Sequence, residues 1–245
     1  PLLDRRYFLG GVVTTIDALN GLGTLNEHFE SQKQAAVADR IVITKTDLLE
    51  GDLSNEKLGN LRALISSLNH LAPIIDLQTP EFNPDELFNT SLYDPETKGM
   101  NVRRWLNLEA EDFDHLQTHD APHSHDHSHS HDISRHGSDI RSFTLSFDYP
   151  IDVENFATSI EALTLLHGNN LLRIKGLIKT KDQPNRPLVI HGVQHIFHDP
   201  VWLDAWPDSD ERTRIVFITK GIERESLEDY FKAWLEQNSA QQGKY

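Results

Sequence analysis

Residues 41–47, IVITKTD, decide the fold of the first part of this chain. Ile41, Val42 and Ile43 form a short β-branched run, which predicts a buried strand. The strand passes directly into a polar segment that contains Lys45 and Asp47. Ligands of open α/β sheets bind at the C-terminal ends of the strands. The segment therefore predicts an α/β fold with a candidate binding site at its own end.

Strand and helix patterns alternate on both sides of this segment. The runs at 11–16 (GVVTTI) and 74–77 (IIDL) predict two more strands. Apolar residues spaced by three and four predict one helix from residue 22 to about residue 39 and another along the leucine stripe at 58–71. Strands that alternate with helices in this way form a parallel sheet with crossover helices.

The pattern changes after the middle of the chain. Alternation at 143–147 and 172–179 and an apolar run at 214–219 predict strands, and a helix capped by Asp152 lies between the first two. This order predicts a small α+β domain with its helices on one face of a mainly antiparallel sheet. We therefore expect the α/β part at 1–108, a linker at 109–138, the α+β domain at 139–238 and a disordered tail at 239–245.

Composition excludes several classes of partner. The net charge of −15, with histidine neutral, disfavours nucleic acid and anionic membranes. No apolar run approaches the roughly 18 residues of a membrane-spanning helix, and no signal peptide is visible. Without cysteine the chain can form neither disulfides nor thiolate metal sites, which fits a cytoplasmic protein. Because the chain opens on Pro1 in a stretch typical of a domain interior, we expect an N-terminal truncation.

The linker contains a histidine-rich stretch, HLQTHDAPHSHDHSHSHDISRH, at 115–136. Eight of the fourteen histidines of the chain lie here, and five alternate strictly with Ser or Asp. Apolar side chains are absent between Pro122 and Ile133, so we expect a mobile loop. Neutral imidazoles suit zinc, copper, nickel and cobalt; the alternative is a solvated linker without a ligand. The predicted metal ligands are His119, His123, His125, His127, His129 and His131.

The spacing of Lys45 and Asp47 suits a guanine base. The carboxylate of Asp47 can accept hydrogen bonds from the ring N–H and the exocyclic amine of guanine, a donor pair that adenine lacks. The stem of Lys45 can lie along the base while its ammonium stays in water. The alternative is an ordinary strand-to-helix loop in which Asp47 caps the next turn.

Thr44-Lys45-Thr46-Asp47 resembles the guanine-specificity motif of P-loop GTPases, usually Asn-Lys-x-Asp, with Thr44 in place of the Asn. Nearly the whole chain resembles the CobW family of P-loop GTPases, in particular its YjiA-like subgroup, through VVTTIDALNG, QAAVADRIVITKTDLL, the histidine-rich linker, LLRIKGLI and RIVFITKGI. The resemblance implies the C-terminal half of a Ras-like GTPase domain with a parallel sheet, followed by a small α+β CobW C-terminal domain.

By resemblance, the intact protein is a GTP-hydrolysing metallochaperone that delivers zinc, or else cobalt or nickel, to a client metalloprotein. Thr44, Lys45 and Asp47 are then its nucleotide-binding residues, and Asp17 matches a family Asp without an assignable role. The phosphate loop and Mg²⁺ ligands of the family and its Cys-x-Cys-Cys motif belong upstream of the position that Pro1 matches. No GxxxxGK[ST] occurs in this chain, so the chain alone is expected not to hydrolyse GTP. A homodimer is a further candidate assembly.

Two polar clusters in the second domain have competing interpretations. The family element R-x-K-G, here Arg173, Lys175 and Gly176, predicts either an exposed docking face for an acidic partner or a solvated strand face. A histidine cluster predicts either a second metal site or merely polar strand residues: His191, His195 and His198. The aromatic residues expected at core or rim positions are Trp202, Trp206 and Trp234.

Two other functions compete with the metallochaperone. A non-enzymatic metal buffer needs only the histidine-rich linker, and a protein-interaction module needs only the acidic surface and the second domain. A Gly-rich phosphate loop upstream in the same reading frame favours the GTPase. Loss of metal binding with unchanged partner binding favours the interaction module.

We expect the five alternating histidines to bind zinc reversibly, with exchangeable ligands. A tetrahedral ion needs about four donors, and this run offers overlapping sets that no packing preorganises. Replacing His123, His125, His127, His129 and His131 with Ser should lower the zinc stoichiometry in calorimetry and leave apo thermal unfolding unchanged. Protonation competes for the same nitrogens, so binding should weaken as the pH falls through about 6.5. An unchanged stoichiometry would place the ions elsewhere.

Overall fold

The computed structural model describes residues 9–51, 54–79, 82–88 and 139–242. The first sheet is parallel, as predicted, with strand order β1-β2-β3: β1 (Val13–Asp17), β2 (Arg40–Thr44) and β3 (Ile74–Asp76). Ile41, Val42 and Ile43 of the central strand are buried. The accompanying helices are α1 (Gly21–Glu27), α2 (Phe29–Val37), α3 (Ser54–Leu68) and α4 (Asp85–Phe88), with a short 3-10 helix at Thr46–Leu48.

Two helices connect β1 to β2, so the prediction of one continuous helix is wrong. His28 is extended (φ −120°, ψ 110°), and its N–H donates to the Thr24 carbonyl at the end of α1. The buried side chain of Gln32 donates from Nε2 to the Leu25 carbonyl at 2.6 Å. This hydrogen bond provides a partner for one of the carbonyls at the end of α1, which have no intrahelical donor.

The second sheet has only antiparallel pairs among its described strands. Its order is β4-β9-β5-β6-β7, with β8 beside β6. The strands are β4 (Ile140–Phe147), β5 (Leu171–Ile178), β6 (Leu188–Val193), β7 (Ile196–Phe197), β8 (Val201–Trp202) and β9 (Thr213–Lys220). The alternation and the apolar run described above predicted β4, β5 and β9.

Two helices belong to the second sheet, α5 (Val153–His167) and α6 (Arg224–Gln242). Asp152 caps α5 as predicted, because its Oδ1 accepts the Asn155 N–H at 3.0 Å. Helix α6 continues to Gln242, so the expected disordered tail at 239–245 is wrong over 239–242. No helix within the described ranges is long and apolar enough to cross a membrane.

Both faces of the second sheet are covered. On one face α5 and α6 pack their aromatic residues against the strands, in a core that includes Phe143, Phe156, Phe217 and Phe231. On the other face, side chains of the sheet share a core with α2 and α3 of the first part; this core includes Leu172, Leu177, Val216, Ile218, Ala35 and Ile65. Every residue of β5 is therefore buried. The prediction of helices on one face describes the second domain alone, because the first part covers the opposite face.

The three tryptophans of the second part are half-buried at the edges of these cores, as predicted. The indole N–H of Trp206 donates to the Pro184 carbonyl at 2.9 Å, and that of Trp234 donates to the Asn155 carbonyl at 3.0 Å. Trp202 packs against the aromatic core. The polar edges of Trp206 and Trp234 thus reach acceptors although both rings are partly buried.

Asn69 joins α2 to the loop that leads into β3. The side chain is fully buried, and it contacts five backbone groups. Its Nδ2 donates at 2.9–3.1 Å to three carbonyls at the end of α2, those of Ala35, Ala36 and Ala38. Its Oδ1 accepts the N–H groups of Leu71 and Ala72, each at 3.1 Å. Buried backbone groups of this kind need partners.

Replacing Asn69 with Ala should lower the free energy of unfolding by about 3 kcal/mol, since several buried backbone groups would lose their partner at once. Urea unfolding monitored by circular dichroism measures the difference. Ser67→Ala is the matched control, because Ser67 is exposed and donates to the Leu64 carbonyl of its own helix; its effect should stay within about 0.5 kcal/mol. Equal effects of the two substitutions would show that Asn69 does not organise this loop.

Candidate functional site

Three strand ends meet at one edge of the first sheet. The parallel register pairs Asp17 with Thr44 and Ile43 with Asp76. The hydroxyl of Thr44 donates to the Ile16 carbonyl at 3.4 Å, so β2 is linked to β1 beside the edge. The carboxyl ends of parallel strands form the usual ligand-binding edge of such sheets. Polar side chains at all three ends make this edge the candidate site.

Lys45 has an unusual backbone directly after β2. Its φ of 63° and ψ of 27° are left-handed, a conformation that costs a residue with a Cβ about 1–3 kcal/mol. It turns the chain from β2 into the 3-10 helix. The side chain is 53% exposed, and its Nζ lies 2.5 Å from Oδ2 of Asp17. This ion pair connects the predicted guanine motif to the end of β1.

The Lys45 hydrogen bond is also the main influence on the acidity of Asp17. It lowers the pKa of Asp17 from 3.8 to about 2, with smaller contributions from the backbone N–H groups of Leu19 and Asn20. Because the folded pKa is depressed, the pair stabilises the fold above the ordinary value of 3.8, and this contribution is lost as the pH falls toward 2. Asp17 is therefore a carboxylate at neutral pH.

The 3-10 helix connects Asp47 to the end of β3. The Thr46 hydroxyl donates to Oδ1 of Asp76 at 2.8 Å, and the same oxygen accepts the Gln78 N–H at 3.0 Å. Asp47 is exposed and accepts a long hydrogen bond of 3.4 Å from Nε2 of Gln78. A carboxylate has about four acceptor positions. Asp47 therefore retains the acceptor capacity that the two donors of a guanine base require.

The structure brings Thr44, Lys45 and Asp47 to one edge of the sheet. Sequence reasoning left Asp17 without a role and missed Asp76 as a member of the site. Both residues end strands that the sequence predicts. Their positions at the carboxyl ends of parallel strands were the signal that could have identified them.

The predicted metal ligands of the linker, His119, His123, His125, His127, His129 and His131, lie outside the described residues. Within the described ranges, no group of three or more His, Cys, Asp or Glu side chains is arranged to hold a metal ion. The interpretation of His191, His195 and His198 as a metal site is therefore not supported. His191 and His198 stack with ring centroids 3.6 Å apart, and His195 is exposed in the turn between β6 and β7.

The R-x-K-G element lies in a buried interface, so the expectation of an exposed or solvated face is wrong. Arg173 and Lys175 are 1% and 2% exposed. The guanidinium of Arg173 forms an ion pair with Asp39, which directly precedes β2, and its Nη1 donates to the Val37 carbonyl at 2.7 Å. Nζ of Lys175 lies 3.9 Å from Oδ1 of Asp39. The basic residues therefore hold the second sheet against the first part of the chain.

The environment of this interface disfavours additional positive charge. Burial lowers the pKa of Lys175 well below 10.5, and the nearby Arg173 guanidinium lowers it further.

Gly176 completes the element by allowing close strand packing: a Cβ there would lie 3.1 Å from the Arg214 carbonyl oxygen and 3.2 Å from the Ile215 side chain. Two further contacts cross the interface, with Nζ of Lys220 3.7 Å above the Phe29 ring and the Ser142 hydroxyl 2.7 Å from Nδ1 of His70.

Comparison with known proteins extends the sequence-based resemblance. Residues 140–235 match the profile of the cobalamin synthesis protein cobW C-terminal domain. The chain is 27% identical to the zinc chaperone YjiA of Escherichia coli over 231 residues, which cover 94% of this chain and 62% of that protein. It is 24% identical to zinc-regulated GTPase metalloprotein activator 1 of Saccharomyces cerevisiae over 259 residues, which cover 96% of this chain and 57% of that protein.

A solved structure shares the same architecture. The Zn(II)-bound YjiA GTPase of E. coli superposes with a TM-score of 0.65 and 26% identity, and the match covers 95% of this chain and 63% of that one. These matches confirm the resemblance inferred from sequence and the predicted fold class. The chain spans less than two thirds of the length of each of these relatives.

We expect the folded state to lose stability below pH 6.5 through His191. Burial lowers the pKa of His191 from 6.5 to about 2, assisted by His198, Arg173 and Lys175. Below pH 6.5, His191 is protonated in the unfolded chain and stays neutral in the folded chain. The free energy of unfolding should therefore fall by up to about 1.4 kcal/mol per pH unit as the pH drops from 6.5.

Urea unfolding of wild type and His191→Gln at pH 7, 6 and 5 tests this expectation. The substitution should flatten the pH dependence. His195→Gln is the control, because it changes the same residue type at the exposed turn of the same hairpin. Parallel pH profiles for wild type and His191→Gln would contradict the assignment.

Proposed function

Because residues 140–235 are a CobW C-terminal domain, we propose that this protein is a GTP-dependent metallochaperone. It couples guanine nucleotide binding and hydrolysis to the transfer of zinc to a client protein. Two similar proteins, a zinc chaperone and a zinc-regulated GTPase metalloprotein activator, support the assignment to metallochaperones.

One observation carries the proposal: Lys45 and Asp47 lie at the carboxyl edge of the parallel sheet, between the ends of the two neighbouring strands. At this edge Asp47 accepts the paired donors of guanine, and the stem of Lys45 lies beside the base. Thr44 serves the site indirectly by linking β2 to the backbone of β1. The exposed carboxylate and its spare acceptor positions fit a guanine base.

The cargo is zinc, carried by the histidine-rich linker. Its imidazoles provide several overlapping four-ligand sets, and cobalt and nickel are chemically related alternatives. Exchange between such sets suits delivery to a client, because the run offers more imidazoles than the roughly four donors that one tetrahedral ion needs. We propose this role for six histidines of the linker: His119, His123, His125, His127, His129 and His131.

The interface supplies a physical route between nucleotide and cargo. Strand β2 has the guanine motif at its C-terminal end, and Asp39, which directly precedes β2, pairs with Arg173 of the second sheet. The histidine-rich linker connects the two parts in sequence. A nucleotide that favours one position of β2 also favours, through this ion pair, one position of the second domain. Coupling between nucleotide binding and zinc binding requires such a difference between states.

Zinc titration with two nucleotides tests base recognition and coupling together. In protein expressed from its complete reading frame, GTP should change the zinc affinity at least about fivefold, the lower end of usual coupling energies, whereas xanthosine triphosphate should not. Asp47→Asn replaces an acceptor with an amide that donates, so this variant should respond to xanthosine triphosphate, whose base has a carbonyl where guanine has its amine.

Glu50→Gln is the control, since it removes the same charge from an exposed residue nearby and should behave as wild type. If neither nucleotide changes zinc affinity in wild type, the coupling fails and a metal buffer remains. If Asp47→Asn keeps the wild-type response to GTP, Asp47 does not read the base.

A further inference from the structure

Asp17 occupies a fixed position beside the guanine motif. It is the last residue of β1 and pairs in register with Thr44 of β2. Its Oδ1 accepts the N–H groups of Leu19 and Asn20 at 2.7 and 3.3 Å. Its Oδ2 faces Nζ of Lys45 at 2.5 Å and Nδ2 of Asn20 at 3.4 Å. One carboxylate oxygen thus fastens the turn after β1, and the other receives the lysine.

Lys45 combines a left-handed backbone with a long, exposed side chain. Its left-handed backbone directs the chain into the 3-10 helix, while its long side chain is 53% exposed. A lysine side chain loses rotamer entropy when it is ordered. The Asp17 carboxylate contacts the Lys45 ammonium at 2.5 Å, so the protein itself orders this side chain.

We propose that Asp17 is a positioning residue for nucleotide binding: it holds the Lys45 ammonium so that the lysine stem lies beside the base that Asp47 reads. This inference rests on the proposed guanine site. The contribution of Asp17 is preorganisation, which increases affinity. Asp17 does not select the base, because base choice depends on the acceptors of Asp47.

The competing role for Asp17 is purely local. The same carboxylate fastens the turn at Leu19 and Asn20, and this turn alone could account for the residue. Asp17→Asn separates the two roles, because the amide oxygen can still accept both N–H groups while the amide nitrogen no longer attracts the Lys45 ammonium. Lys45→Met removes the ammonium and keeps an apolar stem of similar length.

A double-mutant cycle with GDP and GTP tests the inference in protein expressed from its complete reading frame. Asp17→Asn should weaken binding of both nucleotides roughly two- to fivefold, the range expected for an exposed ion pair, and raised salt should reduce the difference. In the Lys45→Met background the same substitution should have no further effect. The preference for GTP over xanthosine triphosphate should remain in Asp17→Asn.

The outcomes separate this inference from the proposed function. If Asp47→Asn changes base preference but Asp17→Asn binds GTP as wild type does, the positioning role is overturned and the guanine site stands. An equal loss from Asp17→Asn with and without Lys45 would assign Asp17 to the turn only. If Asp47→Asn leaves base preference unchanged, the guanine site itself fails, and the role of Asp17 fails with it.

Discussion

The packing of this molecule depends on one buried contact between opposite charges. Arg173 and Lys175 lose nearly all their hydration between the two parts of the chain, and Asp39 is the carboxylate that both face. Removing one partner of a buried ion pair typically costs about 3–5 kcal/mol, because the other charge is left without compensation. An apolar contact of the same area would tolerate sliding, whereas this contact accepts few geometries. It therefore fixes where the second sheet lies on α2 and α3.

Most strands and helices could be predicted from local sequence patterns, whereas the interface between the two parts could not. The β-branched run at Ile41 forms a strand and the carboxylate of Asp152 caps a helix. Both effects act on neighbouring residues and can therefore be predicted from the sequence. Arg173 and Lys175 alternate with apolar residues as a solvated strand face does. Their burial is decided by α2, a distant part of the chain that covers them. The break at His28 escaped prediction for a related reason, since apolar spacing continues across it.

The candidate site shows the same division. Lys45 and Asp47 were identified by their spacing and by the end of a strand, both of which are local properties. The partnership of Asp17 with Lys45 exists only because parallel pairing places the ends of β1 and β2 side by side. Asp76 reaches Thr46 by the same rule from the other neighbour. A motif search finds residues that share one loop, whereas a sheet edge is assembled from three separate segments.

The order of strands in the second sheet has a consequence for how the chain folds. Strand β9 lies between β4 and β5, yet it follows both in sequence. Thus Phe147 finds its partner Thr213 only after β5, β6, β7 and β8 have been synthesised. Until then the edges of β4 and β5 that β9 will join have no neighbour. Such non-local pairing slows folding and lengthens the time for which the unpaired strand edges are exposed. This strand order makes the interval before β9 is synthesised the one in which those edges can pair with another chain.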